Sequence, residues 1–254
     1  MEALPPAVTA LAARLSELGW VSDLWVAGSL ATGDHLPGVS DLDLVAVIDG
    51  TTDSARESRL AGIHAQLDEG PARGAALGCV YVEGAGVSDE AALHPTWTHG
   101  RLVSRVLSGV TRAELVRNGF PVFGRRPSEI LPPVTDDDVR AAARNEVQGY
   151  WAWAARRPWM WLDPVIADLG LTSMARGRTA MRTGELITKS EAIELMRAPD
   201  WLVEQVRARR RGEDVVSPRL RTGWIAWRDA RKTASPQPRL RARVAAAVRR
   251  SRGT

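Results

Sequence analysis

The sequence predicts an α+β protein in which an N-terminal domain with a mixed sheet is followed by a C-terminal α-helical bundle. Two observations support this prediction. Up to about residue 90, short apolar runs alternate with segments of helical periodicity, whereas beyond it the helical period dominates. The chain has 254 residues, of which 44% are hydrophobic and 25% charged. Such a composition supports a packed core and excludes global disorder.

The N-terminal elements follow from the hydrophobic pattern. Val8, Leu11, Leu15 and Leu18 recur at helical spacing, and the run LDLVAVI is apolar enough for a buried strand. Gly28 and Ser29 interrupt the pattern and predict a turn. The predicted order is a helix over 5–19, a strand over 24–27, a strand over 42–48, a helix over 53–68 and a strand over 76–83.

The C-terminal elements are all helical. Helices are predicted over 136–156, 165–182, 188–198 and 200–211. The run TDDD ahead of the first of these, and Thr188 with Glu191 at the third, are typical of capped helix starts. The proline-rich and charged segment 125–138 predicts a linker. We therefore expect domains over 1–130 and 131–232, followed by a basic tail over 233–254.

The charge is unevenly distributed along the chain. The whole chain carries a net charge of +4, but residues 207–254 contain 15 basic and 3 acidic residues, and residues 1–206 carry a net charge of −8. An acidic body favours a cationic substrate. The basic C-terminal region makes nucleic acid a possible partner, although a solvated helical face explains the same charges.

Compositional features also predict the cellular environment. The sequence has one cysteine, Cys79, so no internal disulfide is expected. No apolar run approaches the roughly 20 residues that cross a bilayer, and the N-terminus lacks a basic segment followed by an apolar one. We therefore expect a cytoplasmic protein without a membrane partner.

Two carboxylates at the start of the second predicted strand are the main candidate for chemistry. Asp41 and Asp43 are two residues apart, so on a strand they point to the same face. Carboxylates held together repel each other unless a cation lies between them. Oxygen ligands of this kind suit Mg²⁺, which also binds substrate phosphates. The pair therefore predicts a metal site for phosphoryl or nucleotidyl transfer.

The turn before this strand supplies the complementary part of the site. Gly28 permits close approach of the backbone to a phosphate, and Ser29 offers a hydroxyl and an N–H group. A triphosphate would then be held by its metal on one side and by hydrogen-bond donors on the other. An acceptor hydroxyl could attack the α-phosphorus while pyrophosphate leaves in line.

The residues GSLATGDHLPGVSDLDL resemble the motif of the polymerase-β-like nucleotidyltransferase superfamily. Two further segments resemble the streptomycin/spectinomycin adenylyltransferases within it. They are LTSMARGRTAMRTGELITKSEAIELM (171–196), similar to the C-terminal helical domain, and ELVRNGFPVFGRRPSEILPPV (114–134), similar to the link between the domains. The resemblance covers about residues 22–210 and implies transfer of AMP from ATP to a hydroxyl of an aminoglycoside-like antibiotic.

The resemblance also implies roles for individual residues. Asp41 and Asp43 would bind Mg²⁺ and be catalytic. The ATP-binding residues would be Gly28, Ser29, Ser40, Arg176 and Lys189. Lys189 is one of only two lysines among 34 basic residues, which makes its presence in the motif notable. Mg²⁺ and ATP are thus the expected cofactor and co-substrate.

The chain departs from the family at the expected general base. The family has a Glu on its third strand, and the aligned residue here is Gly78, which has no side chain to accept a proton. Glu83, later on that strand, could take the role if it faced Asp41 and Asp43, or could be an ordinary carboxylate at a strand end. Without a base, the metal alone could lower the hydroxyl pKa.

The acceptor site differs as well. The family places an Asp ahead of its Arg-containing helix, and here Ile166 aligns with it, between Asp163 and Asp168. Either Asp could hold a cationic acceptor, and Trp97 could stack on a substrate ring or simply be half-buried. Two alternatives stay open: a transferase with a protein or RNA acceptor, and a nucleotide-binding or antitoxin-like protein without catalysis.

Overall fold

The structure is a computed structural model that describes residues 4–235. Its N-terminal part is a sheet flanked by helices. The strands are β1 (Val21–Val26), β2 (Leu42–Ile48), β3 (Leu77–Glu83), β4 (Leu93–Thr98), β5 (Arg101–Val106) and β6 (Phe120–Phe123). The helices of this part are α1 (Pro6–Ser16), α2 (Gly28–Ala31), α3 (Ser54–Glu69), α4 (Gly109–Asn118) and α5 (Pro127–Ile130).

The six strands form one sheet in the order β5-β4-β3-β2-β1-β6. β2 and β3 are parallel, joined through α3, and the other neighbouring pairs are antiparallel. The sheet is therefore mixed, which confirms the predicted α+β class. The sequence pattern did not reveal β4, β5 or β6. Polar residues and a proline interrupt β4, β5 is largely exposed and β6 has only four residues, so none of the three carries a long apolar run.

Alternation along β2 assigns each side chain to a face of the sheet. Leu44, Ala46 and Ile48 pack in the core that α1 and α3 cover. Val45 and Val47 pack in the opposite core, beneath α4 and α5. Asp43 belongs to this second set by the period of two, so its carboxylate lies on the α4 side of the sheet, at the strand's N-terminal end.

The C-terminal part is helical. Its elements are α6 (Asp136–Glu146), α7 (Ala152–Ala155), α8 (Pro164–Thr183), α9 (Lys189–Glu194), α10 (Asp200–Arg210) and α11 (Arg219–Ala234). A π-helical turn over Val147–Trp151 joins α6 to α7, so the predicted run over 136–156 is nearly continuous. Within residues 4–235, no helix combines the length and apolar character that a bilayer crossing requires.

Helix α11 was not predicted from the sequence, because its hydrophobic positions are Trp and Ala residues among many arginines. It packs through small residues against the helical core. A Cβ on Gly223 would lie 2.4 Å from the carbonyl oxygen of Trp161, so only glycine permits this approach. Ala226 and Ala230 are fully buried in the same core.

Hydrophobic cores lie on each side of the sheet and among the helices. A smaller cluster joins the two parts, with Ala113 of α4 packed against Val139 and Ala143 of α6 and Ala180 of α8. The predicted division at residue 130 falls between α5 and α6 and stays a prediction, as does the further boundary at residue 232. Most of the predicted basic tail, 233–254, lies outside the described residues.

A buried histidine links α3 to the sheet. His64 is fully buried, its Nε2 lies 2.7 Å from the Tyr81 hydroxyl, and its ring stacks on Trp97 with the centroids 5.0 Å apart. Burial lowers the pKa of His64 to about 3. The unfolded chain binds a proton at this histidine below about pH 6.5, whereas the folded chain does not, so acidification favours unfolding.

We expect His64→Gln to reduce the pH dependence of stability, because glutamine keeps a hydrogen-bonding group but does not ionise. Between pH 8 and pH 5 the wild-type protein should lose about 2 kcal/mol more free energy of unfolding than the variant. Urea unfolding at both pH values measures this difference. If the free energies of unfolding of the wild-type protein and the variant differed by the same amount at both pH values, this account of His64 would be contradicted.

Candidate active site

The carboxylates of Asp41 and Asp43 line a cleft between the sheet and the helical part. Asp41 precedes β2 and Asp43 is the second residue of the strand. The pKa of Asp43 is raised, first by the desolvation that the surrounding protein imposes, and then by the charge of Asp41. Lys189 opposes these effects and Glu114 adds to them. The fold thus holds two repelling carboxylates together beside a cation.

The turn between β1 and α2 packs directly against Asp43. Gly28 has a φ of +58°, and a Cβ at this position would lie 2.3 Å from Asp43 Oδ2. The N–H of Ala27 donates to the carbonyl oxygen of Asp43 over 2.9 Å. Glycine is therefore required twice, once for its backbone conformation and once for the space that the carboxylate occupies.

The helical part contributes two cations to the same cleft. Arg176 of α8 and Lys189 at the start of α9 line a cavity of about 110 Å³. The same cavity is also lined by Gly28, Ser29, Thr32, Asp34, Asp41, Asp43, Glu114 and Thr188. The structure therefore brings together six of the residues predicted for the metal and the nucleotide, from four separate segments of the chain.

Arg176 is held in place from two sides. Its Nε donates to the carbonyl oxygen of Ile187 over 2.9 Å, and its guanidinium pairs with the carboxylate of Glu114 on α4. Glu114 was missed in the sequence, because nothing in the local pattern of α4 distinguishes it from a surface helix residue. Only the packing of the helical part on α4 brings this carboxylate to the cleft.

A second ionic contact joins the two parts beside the cavity. Asp34 accepts hydrogen bonds from the backbone N–H of Ser190, over 3.2 Å, and from its hydroxyl, and pairs with Arg210 at 3.0 Å. The Arg210 guanidinium also donates to Ser40 Oγ over 2.9 Å. Ser40 is buried in this contact and does not line the cavity, so its predicted role in binding ATP is not supported.

The residues of the cavity fit a magnesium ion that is shared with phosphates. In proteins Mg²⁺ commonly uses one or two carboxylates and completes its octahedron with water and substrate phosphates. Asp41 and Asp43 supply such a pair, and their mutual repulsion favours a cation between them. Across residues 4–235, no group of three or more His, Cys, Asp or Glu side chains forms a complete metal site. Further ligands would therefore come from the substrate and water.

Glu83 does not face the aspartates. In the parallel pairing of β2 with β3, Glu83 lies opposite Ile48 at the far end of the strand, whereas Asp43 lies opposite Gly78. The Glu83 carboxylate accepts a hydrogen bond from the backbone N–H of Thr52 over 2.9 Å. The predicted role of Glu83 as the base is therefore contradicted by the strand register.

The three residues predicted for the acceptor have other partners. Trp97 is only 4% exposed and its ring stacks on His64, so it does not offer a free face to a substrate ring. Asp163 caps α8 by accepting from the N–H of Val165, over 2.8 Å. The two carboxylate oxygens of Asp168 accept hydrogen bonds from Arg209 over 2.7 and 2.9 Å. Neither aspartate lines the cavity described above.

We expect Gly28→Ala to impair the site and Gly33→Ala to leave it intact. Both glycines have a positive φ, so each substitution should cost about 1 kcal/mol or more of stability. Only at Gly28 would the new methyl group displace Asp43, since nothing lies within 4 Å of a Cβ at Gly33. Titration with Mn²⁺ should show weakened metal binding for Gly28→Ala alone. Equal binding by both variants would contradict the proposed contact.

Two comparisons with known proteins agree with this geometry. Residues 8–76 match the family model described as a nucleotidyltransferase domain. The fold is similar to that in a crystal structure of spectinomycin adenyltransferase AAD(9) from Enterococcus faecialis with ATP and spectinomycin, with a TM-score of 0.69 and 14% sequence identity. The match covers 90% of this chain and 98% of that chain. A comparison with curated protein sequences found no match.

The matched family segment contains Gly28, Ser29, Asp41 and Asp43, which meet in the cavity described above. The structural match extends over the helical part that supplies Arg176 and Lys189. Residues 8–76 therefore match a nucleotidyltransferase domain, and the overall fold of the chain is similar to that of the spectinomycin adenyltransferase.

Proposed function

We propose that the protein is a Mg²⁺-dependent nucleotidyltransferase that moves AMP from ATP to a hydroxyl of an aminoglycoside-like antibiotic. The observation that supports this most is the opposition of charges across one cavity. Asp41 and Asp43 lie on the sheet, and Arg176 and Lys189 lie on the helical domain. This arrangement suits a triphosphate that is bound to a metal on one side and to cations on the other.

The residues of the chain act mainly by position and charge. Arg176 and Lys189 bind the phosphates, and Ser29 lies beside them in the turn next to Asp43. Mg²⁺ held by Asp41 and Asp43 would supply charge stabilisation and would lower the pKa of the acceptor hydroxyl. Glu114 keeps the guanidinium of Arg176 at the cavity wall before the nucleotide arrives. Catalysis of this kind needs little covalent chemistry from the protein.

The proposed transfer needs no reactant other than ATP and the acceptor hydroxyl. The acceptor oxygen forms a bond to the α-phosphorus, and the bond between that phosphorus and the bridging oxygen of the β-phosphate breaks. Pyrophosphate leaves with the electron pair, and the hydroxyl proton passes to water or to a nearby carboxylate. Antibiotic resistance would be the biological consequence if the acceptor is a drug.

Gly78 favours a second candidate, a nucleotide-binding protein without transferase activity. It lies opposite Asp43 in the register, and a Cβ there would be 3.9 Å from Asp43 Oδ1. A carboxylate side chain at position 78 would lie close enough to Asp43 to act as a base, and glycine has no such side chain. This alternative predicts that MgATP binds without turnover.

Pyrophosphate release from MgATP tests the proposed function. We expect release that depends on one member of a panel of aminoglycosides, spectinomycin and streptomycin included. It should fall by more than about a hundredfold in Asp41→Asn and Asp43→Asn, because a bound metal contributes several kcal/mol to such a reaction. Binding of MgATP without release in the presence of any acceptor would favour the non-catalytic candidate.

We expect Lys189→Met to raise the KM for ATP by about tenfold to a hundredfold, as the loss of a charge-assisted hydrogen bond implies. Lys232→Met is the matched control, because Lys232 is the other lysine of the chain and lies exposed on α11. Steady-state kinetics with varied ATP measures both. A similar KM in the two variants would show that Lys189 does not bind the nucleotide.

A further inference from the structure

The two aspartates also line a second cavity. Its volume is about 230 Å³, and Asp41 and Asp43 line it together with Asp68, Gly78 and Trp97. None of the described residues that line it is Lys or Arg, whereas the nucleotide cavity is lined by Arg176 and Lys189. The two cavities share the aspartates but differ in the charge of their remaining walls.

The absence of a side chain at Gly78 opens this second cavity towards the aspartates. Gly78 lies opposite Asp43 in the register, and a Cβ there would be 3.6 Å from the carbonyl oxygen of Trp97 and 3.9 Å from Asp43 Oδ1. A larger residue would fill the space between β3 and Asp43. With glycine, one continuous cavity has Asp43 and Asp68 in its walls.

Asp68 is held in this wall by a rigid neighbour. Trp97 Nε1 donates to Asp68 Oδ2 over 3.2 Å, and the indole is fixed by its buried position and its stacking on His64. Among the described residues, Asp68 Oδ1 receives no hydrogen bond. Burial raises the pKa of Asp68, and the hydrogen bond from Trp97 acts in the opposite direction. The unbonded oxygen is available for a donor in the cavity.

We propose that Asp68, oriented by Trp97, binds an ammonium group of the acceptor and so presents an acceptor hydroxyl to Asp41 and Asp43. This inference rests on the proposed function and assigns the acceptor side of the reaction to the second cavity. An ammonium group satisfies both the free oxygen of Asp68 and the excess of negative charge in the walls. A neutral polyol of the same shape would leave that charge unpaired. The acceptor is therefore a cationic amino-alcohol.

Asp68→Asn and Glu69→Gln form a matched pair of variants. Each removes one negative charge from the end of α3, but Glu69 is exposed and does not line the cavity. We expect calorimetric titration of spectinomycin and streptomycin, with Mg²⁺ and α,β-methylene-ATP present, to show at least one drug binding to the wild-type protein. Its Kd should rise about tenfold to a hundredfold in Asp68→Asn and stay unchanged in Glu69→Gln.

One further variant and two further readouts separate a role in binding from a structural role and from proton transfer. Trp97→Phe keeps an aromatic ring on His64 but removes the donor to Asp68, so drug affinity should fall by a smaller factor. The affinity for α,β-methylene-ATP should be unchanged in every variant. In turnover, the acceptor KM should rise while kcat at saturating acceptor is preserved.

The proposal is overturned if Asp68→Asn and Glu69→Gln bind the drugs equally, or if neither drug binds to the wild-type protein. A fall in kcat with unchanged acceptor affinity would also overturn it, because Asp68 would then act in proton transfer. Failure of the proposed function gives a different result. Drug binding would still depend on Asp68, but the wild-type protein would release no pyrophosphate.

Discussion

The repulsion between Asp41 and Asp43 is the constraint on which the site depends. Two carboxylates on the same face of one strand are unfavourable unless a cation joins them. The pKa of Asp43 is raised first by desolvation and then by the charge of Asp41. The sheet maintains the arrangement because β2 is the best-buried strand, with neighbours on both sides. The hydrophobic cores on the two faces of the sheet thus hold the pair in a geometry that the proposed metal, with its phosphates, would complete.

The helical part supplies Arg176 and Lys189 to the cavity, and both ionic contacts and a small apolar cluster attach it to the sheet part. Asp34 with Ser190 and Arg210, and Glu114 with Arg176, join the two parts beside the cavity that Asp41 and Asp43 line. The side chains of Asp34 and Arg210 are only 12% and 11% exposed, so this pair is shielded from solvent. Such contacts hold the aspartates and the cations at a fixed separation, which would set how well the proposed triphosphate fits.

Local sequence patterns were sufficient for the parts of the site that lie on one segment. The alternation around LDLVAVI predicted that Asp41 and Asp43 share a face, and the capped start at Thr188 placed Lys189 correctly at the beginning of α9. The helix predicted over 165–182 was also close to the observed Pro164–Thr183. These signals depend only on neighbours within one or two turns.

The errors arose where the answer depends on the register of distant strands or on domain packing. Glu83 was a plausible base until the parallel pairing placed it opposite Ile48 rather than Asp43. Trp97 was predicted to be half-buried or to stack on a substrate, whereas the fold stacks it on His64 and directs its indole N–H to Asp68. Glu114 and Asp68 carry no local signal, since each is an ordinary acidic residue of a helix until the sheet and the helical domain are assembled around it.

The measurement that tests the central claim most directly is the dependence of nucleotide affinity on Mg²⁺. Calorimetric titration of α,β-methylene-ATP into the wild-type protein should give binding that is at least about tenfold tighter with Mg²⁺ than with a chelator, because the metal joins the triphosphate to Asp41 and Asp43. Nucleotide binding of equal strength with and without Mg²⁺ would contradict the account. The two carboxylates would then have a role other than holding the metal of a nucleotide.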